Sequence, residues 1–160
     1  MPPLLTTAPG VSLDVDVSAS GVRSPVAGAR LAEAARAVLR AERVRNALVS
    51  VALIDRRAVA RMNRTHLGHR GATDVISFSF SRASSRDAVI GDVYIAPEIA
   101  RENAAARGVP VREELLRLVV HGTLHVLGYD HPDGPTREQS PMWKRQERIV
   151  RRLAARERPR

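Results

Sequence analysis

EELLRLVVHGTLHVLGYDH, residues 113–131, joins an apolar helical repeat to three of the chain's five histidines. His121 and His125 are four residues apart and fall on one face of that helix. Gly128 permits a sharp turn after it, which folds His131 back toward the other two imidazoles. Three neutral imidazoles converging on one point, with no fourth side chain required, hold a zinc ion and leave one position open for water. A lone histidine on a helix is ordinarily a satisfied core or surface residue. Three at this spacing, after an apolar helix and around a glycine turn, predict a metal site with His121, His125 and His131 as ligands.

The spacing is that of a zincin helix extended by glycine and a third histidine. A protease of that type needs a glutamate after the first histidine as its general base, and here Gly122 stands in that place. Glycine accepts no proton, so peptide hydrolysis by that route loses its base while the metal site loses nothing.

The rest of the 160 residues bounds this reading. The length suits one domain, 1–160, able to bury a core without staples, with 1–10 and 156–160 expected to be loose. Absence of cysteine excludes disulfides and sulfur ligands. The start, MPPLLTTAPG, lacks a basic, apolar signal pattern, and no run is long enough to span a membrane. A soluble cytoplasmic protein is expected, with no membrane partner.

The net charge is +9, and all but one of the 26 basic residues are arginine. From Arg137 onward nine basic residues face three acidic ones, so most of the excess lies in the last 24 residues. A basic tail beside a metal site favours a polyanionic partner, above all nucleic acid. Aromatics at 3% argue against a base-stacking platform. Contacts to backbone phosphate and RNA shape fit better, and no DNA partner is predicted.

Periodicity places strands at VSLDVDV (11–17), ALVSVALI (47–54), DVISFSF (74–80) and AVIGDVYIA (88–96). Ser24-Pro25 is expected to open a helix reaching about Arg43. Asp55 caps a short helix whose Val59 and Met62 are core residues. Pro97 opens a helix ending at Gly108, Pro110 opens the histidine helix to about Leu127, and Ser140-Pro141 begins a basic helix through about Ala155. Four strands and about five helices, mixed rather than strictly alternating, indicate one compact α+β domain with the sheet against a zincin-like metal helix.

HGTLHVLGYDH with its preceding EELLRLVV resembles the signature of the YbeY family, bacterial rRNA maturation factors described as endoribonucleases. TDVISF (73–78) is similar to the family's Thr-Asp-Val-Leu-Ser-Phe segment, GDVYIA (91–96) to its Gly-Asp-Ile-x-Ile strand, and Met142 with Gln146 to the start of its last helix. The resemblance runs from about Val11 to Arg152. It implies a zincin-like fold, one zinc ion on His121, His125 and His131, and single-strand endoribonuclease action in maturing the 3′ end of small-subunit rRNA. Roles in ribosome biogenesis and quality control are implied as well. Its implied partners are ribosomal RNA, the small ribosomal subunit and its assembly factors. One segment departs from the family. Where many members carry Asn-x-x-Tyr-Arg-x-x-Asp, alignment on Asn63 and Thr73 puts His66 at the tyrosine, Leu67 at the arginine and Arg70 at the acidic position.

The leading expectation is therefore zinc-dependent hydrolysis of RNA phosphodiesters. Asp130 either orients a ligand histidine and handles protons or is simply a turn residue, and Asp133 is a second carboxylate in reach. Arg70 is either a phosphate clamp or a solvated loop charge, and Arg64 or Arg70 is the candidate to replace the family's loop arginine. Thr73 and Asp74 read as a turn-and-cap pair at a strand start, and His66 and His69 as surface residues or proton carriers. A second reading is a non-catalytic RNA-binding assembly factor whose zinc is structural. A third is a zinc hydrolase of small molecules or peptides, which Gly122 weakens.

Overall fold

The computed structural model describes residues 10–67, 75–80, 82–84 and 86–157, with the side chains of His66, Leu67 and Glu157 outside that description. The order is β1 (Ser12–Ala19), α1 (Gly28–Ala41), β2 (Asn46–Leu53), α2 (Arg56–Leu67), β3 (Val75–Phe80), β4 (Val89–Ile95), α3 (Pro97–Arg107), α4 (Val111–Val126), a 3-10 turn (Arg137–Gln139) and α5 (Pro141–Glu157). The strands form one sheet, β1-β2-β4-β3, in which β1/β2 and β2/β4 are parallel and β3/β4 antiparallel. The α+β class, the mixed sheet and the five helices agree with the sequence.

Alternation along β2 and β4 decides which face is covered. Ala47, Val49, Val51 and Leu53 of β2 are buried, as are Val89, Gly91, Val93 and Ile95 of β4. Strand pairing brings these residues into register on one face. That face packs in one core with Leu31, Ala34, Ala35, Val38 and Leu39 of α1, the apolar residues of α4, and Met142, Ile149, Val150 and Leu153 of α5. On the opposite face α2 and α3 cover one end, where Val59 packs with Ile76, Ala96 and Ile99, and Met62 lies against them. At the other end Leu48, Ile90 and Phe80 form an exposed cross-strand row.

Helix α4 packs against β3 and β4 as well as against α1, α3 and α5, and is buried over almost its whole length. Its approach to the sheet depends on a missing side chain. A Cβ on Gly122 would lie 2.5 Å from Val93 Cγ1 and 2.9 Å from Val75 Cγ1, far inside contact distance. The Ser77 hydroxyl donates to the Gly122 carbonyl at 3.0 Å. The position a zincin gives to its glutamate therefore points here into packed sheet.

Several boundaries follow the sequence. The Ala58 N–H donates to Asp55 Oδ1 (2.7 Å), and the Trp143 N–H donates to Ser140 Oγ (3.2 Å), so both residues cap their helices. Gly108 ends α3 in the left-handed conformation, φ 69°. One start is corrected. Helix α1 begins at Gly28 rather than at Ser24-Pro25, because the Ser24 hydroxyl is used in a local turn with the N–H of Val26 (3.1 Å) and leaves the helix no side-chain cap. Strand β1 runs two residues beyond Val17, and α5 extends to Glu157, into the stretch expected to be loose. Among the described residues no helix is long and apolar enough to cross a membrane.

Candidate metal centre

The last turn of α4 carries His121 and His125, and its end is built to return the chain. Gly128 is left-handed at φ 96°. The N–H of Tyr129 donates to the Leu124 carbonyl (3.1 Å) and that of Gly128 to His125 (2.9 Å). These two bonds close the helix as a Schellman turn, which needs a residue tolerant of positive φ after the C-cap. The next residues double back, and the Asp130 carboxylate accepts the backbone N–H of His131 at 2.8 Å.

The three imidazoles meet through one nitrogen each. The Nε2 atoms of His121, His125 and His131 lie 3.1, 3.2 and 3.3 Å apart. Each Nδ1 faces an oxygen: Gln146 Oε1 at 2.6 Å for His121, the Tyr129 carbonyl at 2.9 Å for His125 and the Pro132 carbonyl at 3.0 Å for His131. A carbonyl oxygen only accepts, so each Nδ1 carries the proton and each Nε2 presents a lone pair. Three lone pairs aimed at one point repel one another unless a cation lies between them. A tetrahedral ion bound to imidazole at about 2.0–2.1 Å separates its ligands by about 3.3–3.4 Å, close to the spacing here. The residues fit the group, and His121, His125 and His131 can hold a metal ion.

The tautomer of His121 is set from deeper in the fold. Gln146 is fully buried and donates its amide N–H to Glu147 Oε2 at 3.1 Å, which turns its oxygen toward His121. Arg117 grips Glu147 through two bonds of 2.9 Å and donates to Glu114 at 2.9 Å. Burial disfavours the Arg117 charge, but the hydrogen bonds and charges of Glu147 and Glu114 outweigh it and hold the guanidinium above its ordinary range. Burial likewise opposes ionisation of Glu147, yet Arg117 and Gln146 leave its pKa below the ordinary carboxylate value. For His125, burial is the largest influence and lowers its pKa against the bond to Tyr129, favouring the neutral imidazole that a ligand requires.

Asp130 does not reach the Nδ1 of a ligand imidazole, since all three are engaged by the oxygens above, and its carboxylate holds the turn that presents His131. Asp133 is exposed in the following loop, and Arg64 is exposed on α2. His69, Arg70, Thr73 and Asp74, with the His66 side chain, lie outside the described residues. The sequence reading missed Glu114, Arg117 and Glu147, and placed Gln146 only by resemblance. One signal was available. Met142, Gln146, Ile149, Val150 and Leu153 form a single buried stripe on α5, in which only Gln146 is polar.

The family model for Endoribonuclease YbeY matches residues 20–154. Among curated proteins, Endoribonuclease YbeY of Renibacterium salmoninarum is 37% identical over 118 residues, covering 69% of this chain and 74% of that protein. Its namesake from Geobacillus kaustophilus is 38% identical over 114 residues, covering 66% of this chain and 72% of its own. That of Persephonella marina is 34% identical over 123 residues, covering 76% and 80%. The solution structure of Thermotoga maritima TM1509 superposes with a TM-score of 0.57 at 25% identity, covering 89% of this chain and 90% of that one. A match of this extent, joined to a triad of convergent imidazoles on a buried helix, shows that the chain belongs to the YbeY endoribonuclease family.

Proposed function

We propose that this protein is a zinc-dependent endoribonuclease that cuts single-stranded RNA in the maturation of the small-subunit rRNA 3′ end. The observation that carries the reading is the arrangement of three proton-free Nε2 atoms around one point, each enforced by an oxygen on Nδ1. Three protein ligands leave a tetrahedral ion one open position, the usual distinction between a catalytic and a closed structural site. An ion held there supplies Lewis acidity, making water more acidic and neutralising charge that builds on a phosphate oxygen. His121, His125 and His131 hold the ion, and the Gln146 amide keeps His121 in the ligating tautomer.

Gly122 leaves no carboxylate at the zincin base position, and its packing leaves no room for one. Proton handling therefore passes to another group. We assign it to Asp130, an exposed carboxylate that closes the turn next to His131. Arg70 is proposed to contact RNA phosphate. The charge of +9 supports a polyanionic substrate and action on ribosomal RNA within the small subunit, alongside its assembly factors in the cytoplasm.

The test is cleavage of a precursor small-subunit rRNA fragment by the wild type and by His125→Ala, purified identically and checked for folding. Specific cuts by the wild type and none by the folded variant are expected. If neither cuts while both bind the RNA in a salt-dependent way, the assembly-factor reading replaces this one.

A further inference from the structure

Helix α5 turns one side to the core and the other to solvent, and the solvent side carries charge of a single sign. Met142, Gln146, Ile149, Val150 and Leu153 are buried. At about 100° per residue, the arc opposite them holds Lys144, Arg148, Arg151 and Arg152, all exposed, with exposed Arg156 at its edge. From Lys144 to Arg156 it runs about 18 Å along the helix. The one acid between these positions, Glu147, is half-buried and held by Arg117. Arg145 beside the arc is bound to Glu42 of α1 (2.8 Å), and Arg151 donates to the Glu147 carbonyl of its own helix (3.2 Å). Among the described residues, Lys144, Arg148, Arg152 and Arg156 pair with no carboxylate. A groove between α1 and α5, lined by Arg152, Arg156, Arg40 and the short side chains of Ala37 and Ala41, continues the basic surface; Arg40 is held by Glu33.

We propose that this outward arc of α5 anchors RNA backbone at a place separate from the metal centre, an inference that deepens the RNA reading above. The charge pattern works against the helix itself. Lys144 with Arg148, Arg148 with Arg152 and Arg152 with Arg156 are like-charged pairs four residues apart, which destabilise a helix, whereas alternating signs would serve a merely solvated face better. Phosphates set between these side chains turn repulsion into attraction and release counterions. The arginine forks accept phosphate oxygens in pairs. The arc has no aromatic ring on which a base could stack and no large apolar side chain to enter a lipid interface, so it suits backbone phosphate rather than bases or membrane. Gln146 touches His121 (2.6 Å) from the inner side of the same helix, so the arc starts level with the metal centre but across α5 from it. RNA on the arc is therefore held by a stretch other than the one at the ion.

The test is fluorescence anisotropy of a labelled RNA hairpin with a single-stranded tail, titrated with full-length metal-free protein between about 50 and 200 mM KCl. The triple variant Arg148→Gln, Arg151→Gln, Arg152→Gln should bind at least tenfold more weakly and lower the slope of log affinity against log salt by about 2, and Arg148→Gln alone by about 0.7–0.9. A control triple, Arg57→Gln, Arg61→Gln, Arg101→Gln, takes the same charge from exposed positions on α2 and α3 and should change affinity less than threefold. Folded His125→Ala should bind as the wild type does. Urea unfolding confirms that every variant keeps its fold. Unchanged binding by the α5 triple overturns the inference, and so does an equal loss in both triples, which would leave only net charge. A wild type that binds phosphatidylserine vesicles and not the hairpin also overturns it. A protein that binds RNA through the arc but cuts none supports it while sinking the nuclease reading, and a wild type that binds no RNA overturns both.

Discussion

Replacing Gln146 with leucine removes the acceptor of the His121 Nδ1 proton while keeping the volume nearly constant. Gln146 is fully buried and His121 is 4% exposed, so no solvent reaches in to replace the lost 2.6 Å bond. A buried donor left without an acceptor costs about 1–3 kcal/mol. His121 can escape part of that cost by moving its proton to Nε2, but this removes its lone pair from the ion. Metal affinity should therefore fall about 10–100-fold, as it does when the outer partner of a ligand histidine is removed, which corresponds to about 1.4–2.7 kcal/mol. Competition with a chromophoric zinc chelator at pH 7.5 measures the affinity, and urea unfolding of the metal-free protein measures the stability. Gln146→Glu separates the two effects. It restores an acceptor for Nδ1 but places a carboxylate against Glu147 where an N–H stood. Its metal affinity should stay within about threefold of wild type, and its fold should be weakened instead. Zinc binding by Gln146→Leu as tight as that of the wild type would refute this role for Gln146.

Three further outcomes follow from the same packing. Gly122→Ala drives a Cβ into Val93 in the core and Val75 packed against it, and should lower stability by about 1–3 kcal/mol in urea unfolding; an unchanged midpoint would contradict the packing of α4. Arg117→Met removes the two bonds that hold half-buried Glu147 and one partner of Glu114, which keeps Arg107 at 3.5 Å; a loss of about 3 kcal/mol is expected, smaller at low pH. The sign is set by Glu147, whose lowered pKa gives stability present above about pH 4.5 and lost as pH falls through its folded value, and thermal melts from pH 7 to pH 3 should show the wild type approaching the variant. Burial lowers the His125 pKa, so the metal-free protein should lose stability as pH drops below about 6.5, where the unfolded chain takes up the proton first. His125→Gln should flatten that part of the curve.

What the sequence discloses follows from how local the structure is. The triad is legible because its three histidines lie within eleven residues, placed by a helix of fixed period, one left-handed glycine and the turn that Asp130 closes. Asp55, Ser140 and Gly108 are legible for the same reason, since each acts on atoms within four residues. Ser24 shows the limit of that reasoning: its hydroxyl has two local uses of similar energy, and the turn prevails over the cap. The partner of His121 lies 25 residues away on α5, and the steric role of Gly122 needs two strands brought under α4. Neither follows from periodicity, because both depend on which surfaces meet. Arg137 reads as one more charge in a basic tail until the fold brings its Nη2 to 3.3 Å from His121 Nε2.

The central claim is that the ion on this triad makes the protein a nuclease. The direct measurement is RNA cleavage rate against equivalents of zinc added to metal-free protein, for the wild type and for folded His125→Ala. A rate near zero without metal, rising to a plateau at one equivalent, is expected of the wild type, with no rise in the variant. Cleavage by the metal-free protein, or none by the fully loaded wild type, would contradict it.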